Sequence, residues 1–149
     1  MADRMTASQR SFTMSRIRSA RNASTELRFL DLLKRAGVTG WRRNAPLTGR
    51  PDLVFRKERI AVFLDGCFWH ACPRCASART APPKSNVAYW SQKLKRNAER
   101  DREVTLLLRK QGWTVLRIWE HVIRREPRRA VGRLRTLMEK KRDRPPDLL

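Results

Sequence analysis

Ten residues, Gly66-Cys67-Phe68-Trp69-His70-Ala71-Cys72-Pro73-Arg74-Cys75, hold all three cysteines of the chain, two adjacent aromatics and one of its two histidines. Three thiols cannot all pair with one another, and their C-x4-C-x2-C spacing offers three corners of a tetrahedral zinc site. The other histidine, His121, supplies the fourth. Cys67, Cys72, Cys75 and His121 are therefore predicted to fill a closed shell, structural rather than catalytic. The alternative, thiols acting as small buried hydrophobes, does not explain why all three fall within one loop.

Of 149 residues, 35 are basic and 14 acidic, for a net charge of +21 and a pI near 11.6. Among the basic residues 27 are Arg and 8 are Lys, an excess that favours planar, bidentate contacts to phosphate. So much uncompensated charge points to a polyanionic partner, and nucleic acid is the expected one. The length suits one domain with a real core. No stretch approaches the roughly 20 apolar residues of a membrane span, and the first residues lack the apolar core of a secretory signal. A cytoplasmic, DNA-associated protein without a membrane is expected, in a reducing compartment where clustered thiols bind metal.

Along the chain, residues 1–23 are polar and basic and read as an arm or short helix that orders on its partner. Residues 24–139 form the predicted domain, and 140–149 a charged tail. Ser24 or Thr25 can cap a helix with Leu27, Leu30, Leu33 and Ala36 at helical spacing and Gly37 as its stop. A turn-rich stretch leads to Pro51-Asp52-Leu53-Val54-Phe55, the polar tip Arg56-Lys57-Glu58-Arg59, and Ile60-Ala61-Val62-Phe63-Leu64-Asp65, a β-hairpin signature. The second strand is apolar on both faces, as in a covered central strand. Residues 66–86 are loop. Asn86 can cap a long helix through Tyr89, Trp90, Leu94, Val104, Leu107 and Leu108 to a stop at Gly112. Trp113 to Trp119 reads as a strand, with Glu120 and His121 just past its end, and a last amphipathic helix spans about Pro127 to Met138.

Asp52 opens one strand and Asp65 closes the next, so the hairpin brings their ends close. Carboxylates so placed, backed by Glu26 on the upstream helix, can hold magnesium, which prefers oxygen ligands and activates water. Aspartate is also common in turns, which is the plainer reading. His70 is open to three roles: a further zinc ligand, a core histidine, or a general acid or base. Phe68 and Trp69 are core aromatics or wedges that enter a DNA stack. Tyr89 and Trp90 invite the same two readings, one ring for each.

Together these residues resemble the Vsr, or very-short-patch-repair, mismatch endonucleases. The likeness covers about Arg10 to Arg125 and rests on Gly49-Arg50-Pro51-Asp52, Asp65-Gly66-Cys67-Phe68-Trp69-His70, Tyr89-Trp90 with Lys93, Asn97 and Arg100-Asp101-Arg102, and Gly112-Trp113 through Trp119-Glu120. It implies an α/β fold with a restriction-endonuclease-like core, a mixed central sheet flanked by helices, and a structural zinc site. It also implies magnesium-dependent nicking of one strand of duplex DNA 5′ to the T of a T:G mismatch. By resemblance, Asp52 is the magnesium-binding carboxylate, the main-chain carbonyl of Leu64 a second ligand, His70 the residue assisting water or leaving group, and Glu26 a supporting acid. Phe68, Trp69 and Trp90 match the intercalating aromatics. A monomer acting on mismatched double-stranded DNA, with downstream repair proteins as further partners, is the implied working form.

This chain departs from the best-known family pattern at three places. Leu64-Asp65 stands where that pattern has Thr-His, so Asp65 is a candidate additional catalytic ligand. The lysine slot of the broader PD-(D/E)xK nucleases falls on Cys67. Cys72 and His121 stand where His and Cys are expected, and either set satisfies tetrahedral zinc. Two other functions fit the same residues: a restriction-like nicking nuclease of broader specificity acting on foreign DNA, and a zinc-stabilised DNA-binding protein without catalysis.

Overall fold

A computed structural model of the chain describes residues 6–9, 25–67, 72 and 87–144. Helix α1 covers residues 25–35 of that set. Strands β1 (Trp41–Arg43), β2 (Leu53–Phe55) and β3 (Ile60–Asp65) follow, then α2 (Val87–Lys110), β4 (Thr114–Trp119), α3 (Glu120–Arg125) and α4 (Pro127–Asp143). The strands form one sheet in the order β1-β2-β3-β4. The first three are antiparallel neighbours, and β4 joins β3 in parallel after the crossover through α2. The sheet is mixed and helix-flanked, as anticipated.

Period-two alternation sorts its side chains into two cores. Leu53, Phe55, Ile60, Val62, Leu64, Leu116 and Ile118 face a cluster completed by Phe29 and Leu33 of α1, Ile123 of α3, and Leu134 and Met138 of α4. Val54, Ala61 and Phe63 point the other way, against Leu108 and Val104 of α2. The result is three layers, with β3 buried at every position from Ile60 to Asp65. A strand covered on both faces needs no polar alternation, which is why Ile60-Ala61-Val62-Phe63-Leu64 reads as a continuous apolar run.

Both anticipated glycine stops operate. The Val38 N–H donates to the Leu33 carbonyl across Gly37, and the Trp113 N–H to the Leu108 carbonyl across Gly112, each at 2.9 Å, the six-to-one bond of a glycine-terminated helix. In the N-terminal segment, Thr6 and Gln9 exchange backbone-to-side-chain hydrogen bonds of 3.0 and 3.1 Å, a reciprocal cap on a helical turn at residues 7–9. At the other end α4 runs to Asp143, beyond the expected Met138, and Arg142 reaches the buried Glu58 at the hairpin tip.

Two local readings change. Strand β1 lies where no alternation announced one, because two of its three residues, Arg42 and Arg43, are exposed on the sheet edge. In α1 the buried stripe is Phe29, Leu30 and Leu33, while Leu27 is 57% exposed. A leucine two positions off the stripe fits helical spacing on paper but faces outward once Phe29 takes the core. Phe29→Ala is expected to lower unfolding free energy by about 3–5 kcal/mol. Leu27→Ala should change it by less than about 0.5 kcal/mol, as for surface sites generally; chemical denaturation of the two variants checks the pair.

Candidate active cleft and metal centre

The register of β2 against β3 pairs Leu53 with Val62. Strand β2 begins at that pair. Beyond it the Asp52 side chain reaches β3, and its Oδ2 accepts the Leu64 N–H at 2.7 Å. The carboxylate is thereby fixed at the rim of a cleft of about 450 Å³, whose polar lining comprises Arg50, Asp52, Asp65, Arg100, Asp101 and Arg117. Gly49 closes the cleft against α2: it adopts φ +74°, and a Cβ there would run into the methyl groups of Val104.

Asp65, at the end of β3, is 5% exposed and is paired with Arg117 of β4. The guanidinium donates to both carboxylate oxygens, at 3.1 and 3.2 Å. It also donates to Thr105 Oγ1 at 3.0 Å and to the Asp101 carbonyl at 3.1 Å, and lies 4.2 Å from the centre of the Phe63 ring. Sequence reasoning missed Arg117. A single arginine in Val115-Leu116-Arg117-Ile118 reads as solvent-facing, yet its register opposite Phe63, two residues before Asp65, is what sets it in the cleft.

Glu26 is buried and accepts from Arg43 Nε at 2.8 Å. That hydrogen bond, and then the charge behind it, pushes the Arg43 guanidinium above its usual pKa. Arg43 pairs with Leu53, the residue after Asp52, so Glu26 lies behind the start of β2 and is not part of the cleft lining. At the start of α2, Trp90 is 3% exposed and Tyr89 41% exposed. Their rings meet edge to face at 5.3 Å, and Lys93 Nζ lies 5.7 and 5.8 Å from the two ring centres. Of the two, Trp90 occupies the core position and Tyr89 presents its ring to solvent.

Just past the cleft, Cys67, Cys72 and His121 bring their ligand atoms within 4.8 Å of one another. His121 Nδ1 is 3.3 Å from Cys67 Sγ and 3.6 Å from Cys72 Sγ. Two thiolates and an imidazole around one tetrahedral ion would stand about 3.5 Å apart, so the donors are spaced for a metal. The Cys72 N–H donates to the Cys67 carbonyl at 2.9 Å and closes the loop between the thiols. Cys75, the fourth expected ligand, lies outside the described residues, as do Phe68, Trp69 and His70.

Comparison with known proteins gives the same direction. The family model described as DNA mismatch endonuclease Vsr matches residues 2–76. The type II nicking enzyme V.NaeI of Lentzea aerocolonigenes is 53% identical over 72 residues, which is 48% of this chain and 41% of that enzyme. The type II nicking enzyme V.NmeDIP of Neisseria meningitidis serogroup C is 36% identical, over 80% of this chain and 78% of its own length. The DNA mismatch endonuclease Vsr of Escherichia coli K12 is also 36% identical, over 83% of this chain and 77% of that protein. The chain belongs to the Vsr family of DNA endonucleases. Among the described residues no helix is long and apolar enough to cross a membrane.

The metal centre makes a direct prediction. His121→Ala should lose the bound ion measured by elemental analysis of the purified protein, and its melting temperature should fall as a liganded folded state becomes an unliganded one. Unchanged metal content and unchanged melting in both His121→Ala and Cys72→Ser would refute the assignment.

Proposed function

We propose that this protein nicks one strand of duplex DNA 5′ to the T of a T:G mismatch, in a magnesium-dependent hydrolysis that begins very short patch repair. The observation that carries the catalytic part is the Asp52 carboxylate, clamped by the Leu64 N–H at the rim of a cleft with Arg50 and Arg100 in its wall. A fixed carboxylate next to a main-chain carbonyl is a hard-oxygen donor set of the kind magnesium takes. Asp52 and the Leu64 carbonyl would hold that ion, which when bound neutralises charge at phosphorus and acidifies water. The arginines orient the scissile phosphate without bearing the proton transfer. His70 is proposed to move that proton, a role suited to a side chain titrating near neutrality.

Zinc is the proposed occupant of the Cys67, Cys72 and His121 group, with Cys75 completing the shell. The soft thiolate-imidazole set fits zinc, and a filled shell leaves it a structural task. The restriction-endonuclease-like reading of the core rests on the mixed order of the sheet, with the candidate carboxylate at the entry to its second strand.

Phe68 and Trp69 are proposed as the wedges that unstack the step at the mismatch, where poor pairing makes deformation least costly. Trp90 serves the same stack only by leaving its packed position, whereas Tyr89 is already presented beside it. Glu26 supports the site at one remove, through Arg43 and the start of β2. The basic arm and the basic outer surface of α2 supply sequence-independent affinity that falls with salt. The working form is proposed to be a monomer on mismatched duplex DNA, handing a nicked product to repair proteins.

A nicking assay on labelled duplexes with T:G, other mismatches and full pairing, with and without magnesium, tests the whole reading. Cleavage confined to T:G with magnesium supports it. Equal cleavage of paired DNA indicates the broader nicking nuclease that the relatives' names also allow, and binding without cleavage indicates a non-catalytic protein. Asp52→Ala should retain folding and DNA binding while nicking falls at least about a hundredfold, in line with the loss of a principal electrostatic group.

A further inference from the structure

Two strand-end aspartates line one cleft, and by composition either could hold a cation. Their surroundings differ. We infer that Arg117 is a positioning residue that takes Asp65 out of metal coordination, leaving Asp52 as the carboxylate a divalent cation uses; the inference rests on the nuclease reading above.

Arg117 is itself anchored by contacts other than Asp65. Its Nε is bonded to Thr105 Oγ1, one terminal nitrogen to the Asp101 carbonyl, and its plane lies over Phe63. These contacts join β4 to α2 and β3, so the guanidinium cannot turn away without breaking all of them. The other terminal nitrogen lies within 3.1–3.2 Å of both oxygens of Asp65 and 3.7 Å from Asp101 Oδ1. An arginine keeps its charge at any accessible pH. A cation on Asp65 would therefore share its oxygens with a fixed positive group at hydrogen-bond distance, in a site that is mostly buried and weakly screened. The same guanidinium draws on the Asp101 carboxylate. Asp52 Oδ2 accepts the Leu64 N–H, a contact that orients its carboxylate in the same cleft.

The aspartate at position 65 is thus paired with the arginine at 117. Asp65 works as the counter-ion of a clamp that holds α2, and with it Arg100, against the end of β3. Removing the pair as a unit should spare cation binding, while removing Arg117 alone should free an acid to take a cation.

Mn2+ titration of the zinc-loaded full-length protein without DNA, followed by electron paramagnetic resonance of free Mn2+, reads this independently of cleavage. The doubly substituted Asp65→Asn, Arg117→Met protein is expected to bind Mn2+ within about threefold of wild type, and Asp52→Asn at least about tenfold more weakly. Arg117→Met alone should bind an additional ion, and Arg117→Lys, which keeps the charge, should show the wild-type count. Loss of Mn2+ binding in the double variant matching that in Asp52→Asn overturns the inference and leaves the nuclease reading standing. Full Mn2+ binding by Asp52→Asn, or none by wild type, overturns both. If the double variant does not fold, the ion counts of Arg117→Met and Arg117→Lys decide, and equal counts overturn the inference.

Discussion

One hydrogen bond, from the Leu64 N–H to Asp52, fixes the carboxylate on which the proposed chemistry depends. A buried backbone N–H demands an acceptor, and the Leu64 N–H lies past Leu53, the last paired residue of β2. The acceptor it finds is the side chain of an acid. The requirement that completes a β-ladder therefore also immobilises a carboxylate. Its orientation depends on both strands of the hairpin, so the packing of β3 between two cores and the geometry of the cleft are one problem.

Arg117 plays the corresponding part on the far side of β3. Breaking a buried, hydrogen-bonded ion pair by removing one member typically costs about 3–5 kcal/mol, chiefly through the charge left behind. The Asp65–Arg117 pair is of that kind, with Asp65 buried and Arg117 partly so. Its value lies less in net stabilisation, which an apolar pair could match, than in specifying one register of α2 over the sheet. Arg100 and Asp101 of α2 face the cleft, and Tyr89 and Trp90 open the same helix. A fixed register connects the wall of the cleft to the aromatic end.

Much of this was legible from residues alone, and the reasons are specific. The hairpin was readable because Leu53 to Phe55 and Ile60 to Asp65 flank a polar tip, and the metal group because thiols so closely spaced have few other uses. Strand β1 was not readable, since an edge strand with two exposed arginines carries no apolar period. The α1 stripe was misread at Leu27, since spacing cannot say whether Leu27 or Phe29 wins the core. Asp65 was legible as an unusual acid but not as a paired one. Its partner is 52 residues away, and only the parallel register of β3 with β4 brings them together.

That parallel register has a consequence for how the chain can vary. Asp65 pairs with Trp119, and two residues beyond each stand Cys67 and His121. The thiol–imidazole group is thus the continuation of the strand pair past its last backbone rung, a candidate ion site in place of a further hydrogen bond. Loops elsewhere in a fold absorb insertions at little cost. Here the short links through Gly66 and Glu120 must stay equal in length, because lengthening one alone would shift a ligand along its strand relative to the other. Natural variation in this lineage should therefore tolerate changes of residue type around the cleft more readily than any change of spacing between strand end and metal.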